Sequence, residues 1–120
     1  MSDFVKNADE NIMNFKDRLR FPANFDMLDR EVRIGGKKAG FFFIDGFVQE
    51  DMVEKLMQFF YSLKPEDVSN IDKFLENGMP YTEVDRADKY ERVITSFLAG
   101  VTVLFVDGFD EAVLIDCRTY

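Results

Sequence analysis

Gly40-Phe41-Phe42-Phe43-Ile44-Asp45-Gly46-Phe47 is an apolar run opened by glycine and closed by Asp-Gly-Phe. It has a second version in Gly100-Val101-Thr102-Val103-Leu104-Phe105-Val106-Asp107-Gly108-Phe109. Short runs rich in aromatic and β-branched residues, bounded by turn residues, fit strands buried on both faces better than helices. Two such strands are expected to form the centre of one sheet. The pairs Asp45-Gly46 and Asp107-Gly108 are turn chemistry, because glycine accepts positive φ and aspartate bonds its own backbone.

The flanking sequence builds outward from these runs. Upstream, residues 25–34 alternate, with Leu28, Val32 and Ile34 on one face and Asp29, Glu31 and Arg33 on the other, as in a half-exposed edge strand. Gly35-Gly36 then suits a two-residue hairpin into the first apolar strand, 39–44. Residues 4–19 repeat Phe4, Ala8, Ile12, Phe15 and Leu19 at helical spacing, with Ser2 or Asp3 placed to cap the helix and Pro22 to end it.

After Phe47, the acidic residues Glu50 and Asp51 open a helix through about Leu63, with a stripe of Met52, Val53, Leu56, Met57, Phe59 and Phe60. We read that stripe as a face packed on the sheet, although Met and Phe stripes also line adaptable grooves. Pro65 starts a helical turn and a short helix with Val68, Ile71, Phe74 and Leu75 inward; Asn77-Gly78 and Pro80 stop it. Tyr81 to Val84 form a short strand. The acidic stretch Glu83 to Asp88 is read as a solvated helix entry, with Asp85 or Asp88 capping a helix that carries Tyr90, Val93, Ile94, Phe97 and Leu98 inward. The second apolar strand, 101–106, turns through Asp107-Gly108 into Ala112-Val113-Leu114-Ile115-Asp116, a second hairpin.

The order is α-ββ-α-α-β-α-ββ. The expected class is α/β, a mixed sheet of four to five strands with two β-hairpins and helices packed on it. Residues 1–120 form one α/β domain with no internal linker. Chain is expected to continue past Tyr120, since Asp116-Cys117-Arg118-Thr119-Tyr120 follows directly on a buried strand. Further chain would then cover strand 112–116, leaving an exposed apolar patch there in its absence.

Composition excludes several chemistries. Fourteen Phe and an apolar share of 47% are enough for a folded core. A net charge of −8 opposes binding to nucleic acid or anionic lipid. With no His and one Cys, His-dependent triads and Cys/His zinc sites cannot be built. No apolar run approaches the ~20 residues that span a bilayer. Gly35-Gly36-Lys37-Lys38 has the look of half a phosphate loop but lacks its spacing and sits in a hairpin. Cys117 has no histidine to activate it, and is read as a small buried thiol. The remaining candidates are Asp45, Asp107 and Asp116 at strand ends, with Gly46 and Gly108 beside them, as a speculative ligand site. The alternative is two turn aspartates and a strand-end aspartate, unrelated in space. We expect no catalytic residues, no cofactor and no metal centre.

Gly35-Gly36-Lys37-Lys38-Ala39 followed by Phe43-Ile44-Asp45-Gly46-Phe47 resembles the N-terminal soluble region of A subunits in the GerA family of spore germination receptors. Gly100 to Gly108, continuing through Ala112 to Asp116 and Arg118, resembles that family's later strand pair, after which members run on to an Arg-Ser-Val-Glu-Glu-Pro segment absent here. The resemblance covers about residues 10–120. Asp-Gly-Phe stands where receptor A subunits more often carry Asp-Gly-Leu. With Phe59-Phe60-Tyr61-Ser62 and the end of the chain, this sets the sequence nearer a sporulation member. The resemblance implies the first of two soluble α/β subdomains on the cytoplasmic side of the spore inner membrane, ahead of a multi-helix membrane region. It implies a non-enzymatic assembly and signalling role. The partners would be other subunits of a germination membrane complex, the protein's own C-terminal subdomain and membrane region, or further copies of itself. The competing expectation is a small-ligand or ion sensor with its pocket at the Asp-Gly turns.

Overall fold

The computed structural model describes residues 1–19, 27–46, 48, 50–76 and 83–118. Within them the order is α1 (Ala8–Leu19), β1 (Met27–Ile34), β2 (Lys37–Ile44), α2 (Glu50–Ser62), a 3-10 turn (Pro65–Val68), α3 (Ile71–Glu76), β3 (Glu83–Ala87), α4 (Tyr90–Leu98), β4 (Thr102–Val106) and β5 (Ala112–Asp116). The expected stops at Pro22, Asn77-Gly78 and Pro80, the strand residues Tyr81 and Thr82, and residues 25–26 lie outside the described residues.

The five strands form one sheet in the order β1-β2-β4-β5-β3. The twin apolar strands β2 and β4 lie side by side, with Ala39 opposite Val106 and Phe42 opposite Val103. All four described pairings are antiparallel, so the sheet is not mixed. The reason lies in the β3-α4-β4 unit. Its helix joins two strands that run the same way, but β5 sits between them and takes the hydrogen bonds of both. The acidic stretch Glu83 to Ala87 is therefore the edge strand β3, not a helix entry.

Strand alternation divides the core. Ile34, Phe41, Phe43, Leu104, Val113 and Ile115 face α2, the 3-10 turn and α3. Phe42, Ile44, Val103, Phe105 and Leu114 face α1 and α4. The second face is built on aromatic rings: Phe15 of α1 meets Phe42, Phe97 and Phe105 with centroids 5.2–5.4 Å apart. Such tilted and edge contacts add to the burial each ring already contributes. Strand 112–116 is buried on both faces and paired on both edges, so the expected exposed patch over it is absent. β3 lies along one edge of it and β4 along the other, so the exposed patch that an assembly role predicts does not form here, and this strand does not support that role.

The helix starts depart from the sequence reading. α1 begins at Ala8, not Phe4: Asn7 accepts a hydrogen bond from the Glu10 amide (3.0 Å), while Phe4 lies buried against Tyr90 and Phe105. Buried Asn11 holds this lead-in by bonding both the amide and the carbonyl of Val5. Asp3 caps the other helix on this face, accepting from the Tyr90 amide at the start of α4 (3.0 Å). Asp85 instead pairs with Arg92. Leu98, expected inward, is half exposed at the last position of α4.

The β1-β2 turn uses both glycines at positive φ, +56° and +83°, as a primed hairpin requires. A Cβ on Gly35 would lie 2.5 Å from Val68 and 2.8 Å from the Lys64 carbonyl oxygen, whereas one on Gly36 would meet nothing. Both substitutions carry the left-handed cost of about 1–2 kcal/mol. Gly35→Ala is expected to cost clearly more than Gly36→Ala in urea unfolding, because it must also displace the 3-10 turn.

Candidate functional site

The three candidate aspartates are not brought together. Asp107 follows β4, where its amide donates to the Lys38 carbonyl at the start of β2 (2.9 Å). Asp45 follows the far end of β2, seven residues on, roughly 24 Å away at strand rise. Asp116 lies at the Asp45 end of the sheet but two strands across, about 10 Å at ordinary strand spacing.

Asp107 is used by the fold. Its carboxylate accepts from the Ala8 amide at the start of α1 (2.6 Å), and Gly108 donates its amide to the Lys6 carbonyl (2.8 Å). This turn therefore ties the N-terminal lead-in to the sheet and supplies a negative group where the helix dipole favours one. Ser2 adds a hydrogen bond to the Asp110 carbonyl. Asp116 forms a two-point ion pair with Arg118, both contacts 2.8 Å, and Arg118 also donates to the Ala99 carbonyl (3.1 Å). That arrangement locks the exit of β5 against the end of α4.

The two lysines of the hairpin are also occupied. Lys37 donates to the Val68 carbonyl (2.7 Å) and lies near the Phe109 ring. Lys38 pairs with Asp9 at 2.9 Å and Glu31 at 3.3 Å. Those two partners raise its pKa, the hydrogen bond to Asp9 most strongly. No phosphate cradle is formed. Cys117 is buried with its sulfur 3.3 Å from the Thr102 hydroxyl. Burial pushes the thiol's pKa up, with the Thr102 hydrogen bond opposing it, so the nucleophilic thiolate is disfavoured.

Asp45 faces open concave space. A groove of about 280 Å³ is walled by Leu28 and Arg30 of β1, Phe43 of β2, Asp45, Val48, and Glu50 and Val53 of α2. It adjoins a second hollow of about 360 Å³ through Arg30, Glu50 and Val53, which runs along α2 past Met57 to Tyr61. The α2 stripe thus divides. Leu56 and Phe60 are buried in the core, while Val53 and Met57, a quarter-turn round the helix, are only partly covered.

Sequence reasoning missed Arg30. It pairs with Phe41 across the strands, on the core side between Leu28 and Val32, with its guanidinium 5.9 Å from the centroid of the Phe43 ring. The available signal was a charge at the one inward position of β1 where alternation calls for an apolar residue. Among the described residues no three acidic or sulfur ligands gather to hold a metal. No helix among them is long and apolar enough to cross a membrane.

Two measurements test these assignments. Asp107→Ala is expected to cost about 1 kcal/mol through loss of the helix cap, Asp107→Asn less, and Asp45→Ala under about 0.5 kcal/mol, all by chemical denaturation. Native Cys117 is expected to resist thiol reagents until the protein unfolds. Because its folded pKa is raised, its contribution to stability is complete below the unfolded value of 9.0 and is lost as pH rises beyond it.

The family model described as Bacillus/Clostridium GerA spore germination protein matches residues 14–120. The chain is 22% identical over 117 residues to stage V sporulation protein AF of Bacillus subtilis, covering 96% of this chain and 24% of that protein. It is 27% identical over 120 residues to spore germination protein GerLA of Bacillus cereus, covering 95% of this chain and 24% of that protein. The chain thus spans about a quarter of the length of the curated relatives it matches. In fold it is similar to the crystal structure of the N-terminal domain of the A subunit of the Bacillus megaterium spore germinant receptor GerK3. There the TM-score is 0.72 at 14% identity, over 98% of this chain and 97% of that one.

Proposed function

This chain belongs to the Bacillus/Clostridium GerA spore germination family, and we propose that it is the assembly and signalling module of a germination membrane protein. In this reading it is the first of two α/β subdomains on the cytoplasmic side of the spore inner membrane, ahead of a multi-helix membrane region. It packs against its own C-terminal subdomain, other subunits or further copies of itself, passes their state to the membrane and carries out no reaction. The observation that carries the proposal is the family match across residues 14–120, almost the whole folded unit. The uses of the aspartates support it. Asp107 and Asp116 serve the fold, and the groove beside Asp45 stays open to another surface.

The test is purification of the tagged full-length protein from spore membranes in mild detergent, with and without residues 1–120. Other subunits are expected to co-purify with the intact protein and to be lost from the deletion, which still inserts in the membrane. An unchanged set of co-purifying proteins overturns the proposal.

A second reading, a small-ligand or ion sensor, draws on the groove beside Asp45 and Gly46, whose apolar walls carry a few polar groups as small-molecule sites do. The Asp107-Gly108 half of that expected pocket lies at the other end of the sheet. A thermal-shift screen with amino acids, sugars and salts separates the readings, since a ligand that binds only the folded state raises its melting temperature.

A further inference from the structure

We infer that the groove between β1 and α2 docks a basic amphipathic segment of a partner protein. This names the contact surface of the assembly role and rests on that reading. The helix wall has two parallel ridges at i, i+4, i+8 spacing: Val53, Met57 and Tyr61 are apolar, and Glu50, Glu54 and Gln58 beside them are acidic or polar. Over that span the wall is about 12 Å long, room for roughly two turns of a docked helix. Tyr61 stands 61% exposed at its end, an aromatic of the type that anchors interfaces.

The charges around the groove choose the occupant. Among the described residues that line it, Asp45, Glu50 and Glu54 stand against one cation, Arg30. Among the described residues none of these four groups is in an ion pair. Some surface acids elsewhere, Asp9, Asp29, Asp72 and Asp85, do have a Lys or Arg partner. An apolar floor under an unpaired acidic ridge complements a segment with apolar anchors flanked by Lys or Arg, in the helix-in-groove mode. Arg30, one N–H of which donates to the Asp29 carbonyl, has further N–H groups to donate to a carboxylate or carbonyl at one end of that segment. Anionic lipid and nucleic acid are the wrong sign for this face and for a chain of net charge −8.

The test uses fluorescence anisotropy with short labelled amphipathic peptides that share leucine anchors and differ only in Lys, Ser or Glu flanks. Lys-flanked peptide is expected to bind at least about tenfold tighter than Glu-flanked peptide, with the difference shrinking at high salt. Glu50→Lys with Glu54→Lys should invert the order. Met57→Ser with Tyr61→Ser should weaken the Lys-flanked peptide about tenfold, with circular dichroism confirming that both variants fold. Equal binding of all flanks, no binding of any, binding unchanged in the Met57/Tyr61 variant, or self-association through this face in sedimentation would each overturn the inference. The Glu50/Glu54 double variant in the full-length protein separates the two claims. Partners retained there but lost on deleting residues 1–120 would refute the groove and leave the assembly role standing.

Discussion

The pairing of β2 with β4 is the constraint from which the rest of the fold follows. Phe41, Phe42 and Phe43 sit opposite or beside Val103, Leu104 and Phe105, so the centre of the sheet is apolar above and below. A sheet of that kind is unstable in water until both faces are covered. The helices meet that need in two layers, α2 and α3 on one face and α1 and α4 on the other. The hairpins then extend the sheet outward, β1 beyond β2 and β5 with β3 beyond β4. Interior polar groups are few, and Asn11 and Thr102 are both hydrogen-bonded, as burial demands.

The N-terminal lead-in shows how the layers are held in register. Asp3 serves the start of α4, Asp107 serves the start of α1, and Asn11 clamps Val5 between them. Each is a polar group contributed by one part of the chain to an unsatisfied amide of another. The result joins α1, α4 and the β4-β5 turn into one unit. The aspartate that the sequence offered as a possible ligand is thereby used as a structural bond.

The opposite corner is built differently. α2 reaches β1 at the edge of the sheet and leaves a groove where Arg30 replaces an inward apolar residue and three acids remain unpaired. Where the Asp107 corner uses its acids as helix caps, this one leaves an apolar ridge and unpaired acids side by side. That contrast gives the proposed assembly role a physical location on the molecule. It also explains why composition was silent about it. An unpaired acid and a paired one look the same in a list of residues.

Much of this architecture is legible in the residues themselves. The two glycine-opened apolar runs, Gly35-Gly36, the alternation of β1 and the helical stripes mark the described helices and strands to within a few residues, β3 excepted, because these signals depend on neighbours a few positions away. The motifs also carry the GerA family. Tertiary structure alone decided that β5 lies between β3 and β4, making all the described pairings antiparallel. It decided that Asp3 and Asp107 cap helices far from them in sequence, and that Asp45, Asp107 and Asp116 stand apart. It placed Arg30 beside Glu50 and Asp45. Those outcomes depend on which segments meet across the sheet, and local periodicity carries no record of that.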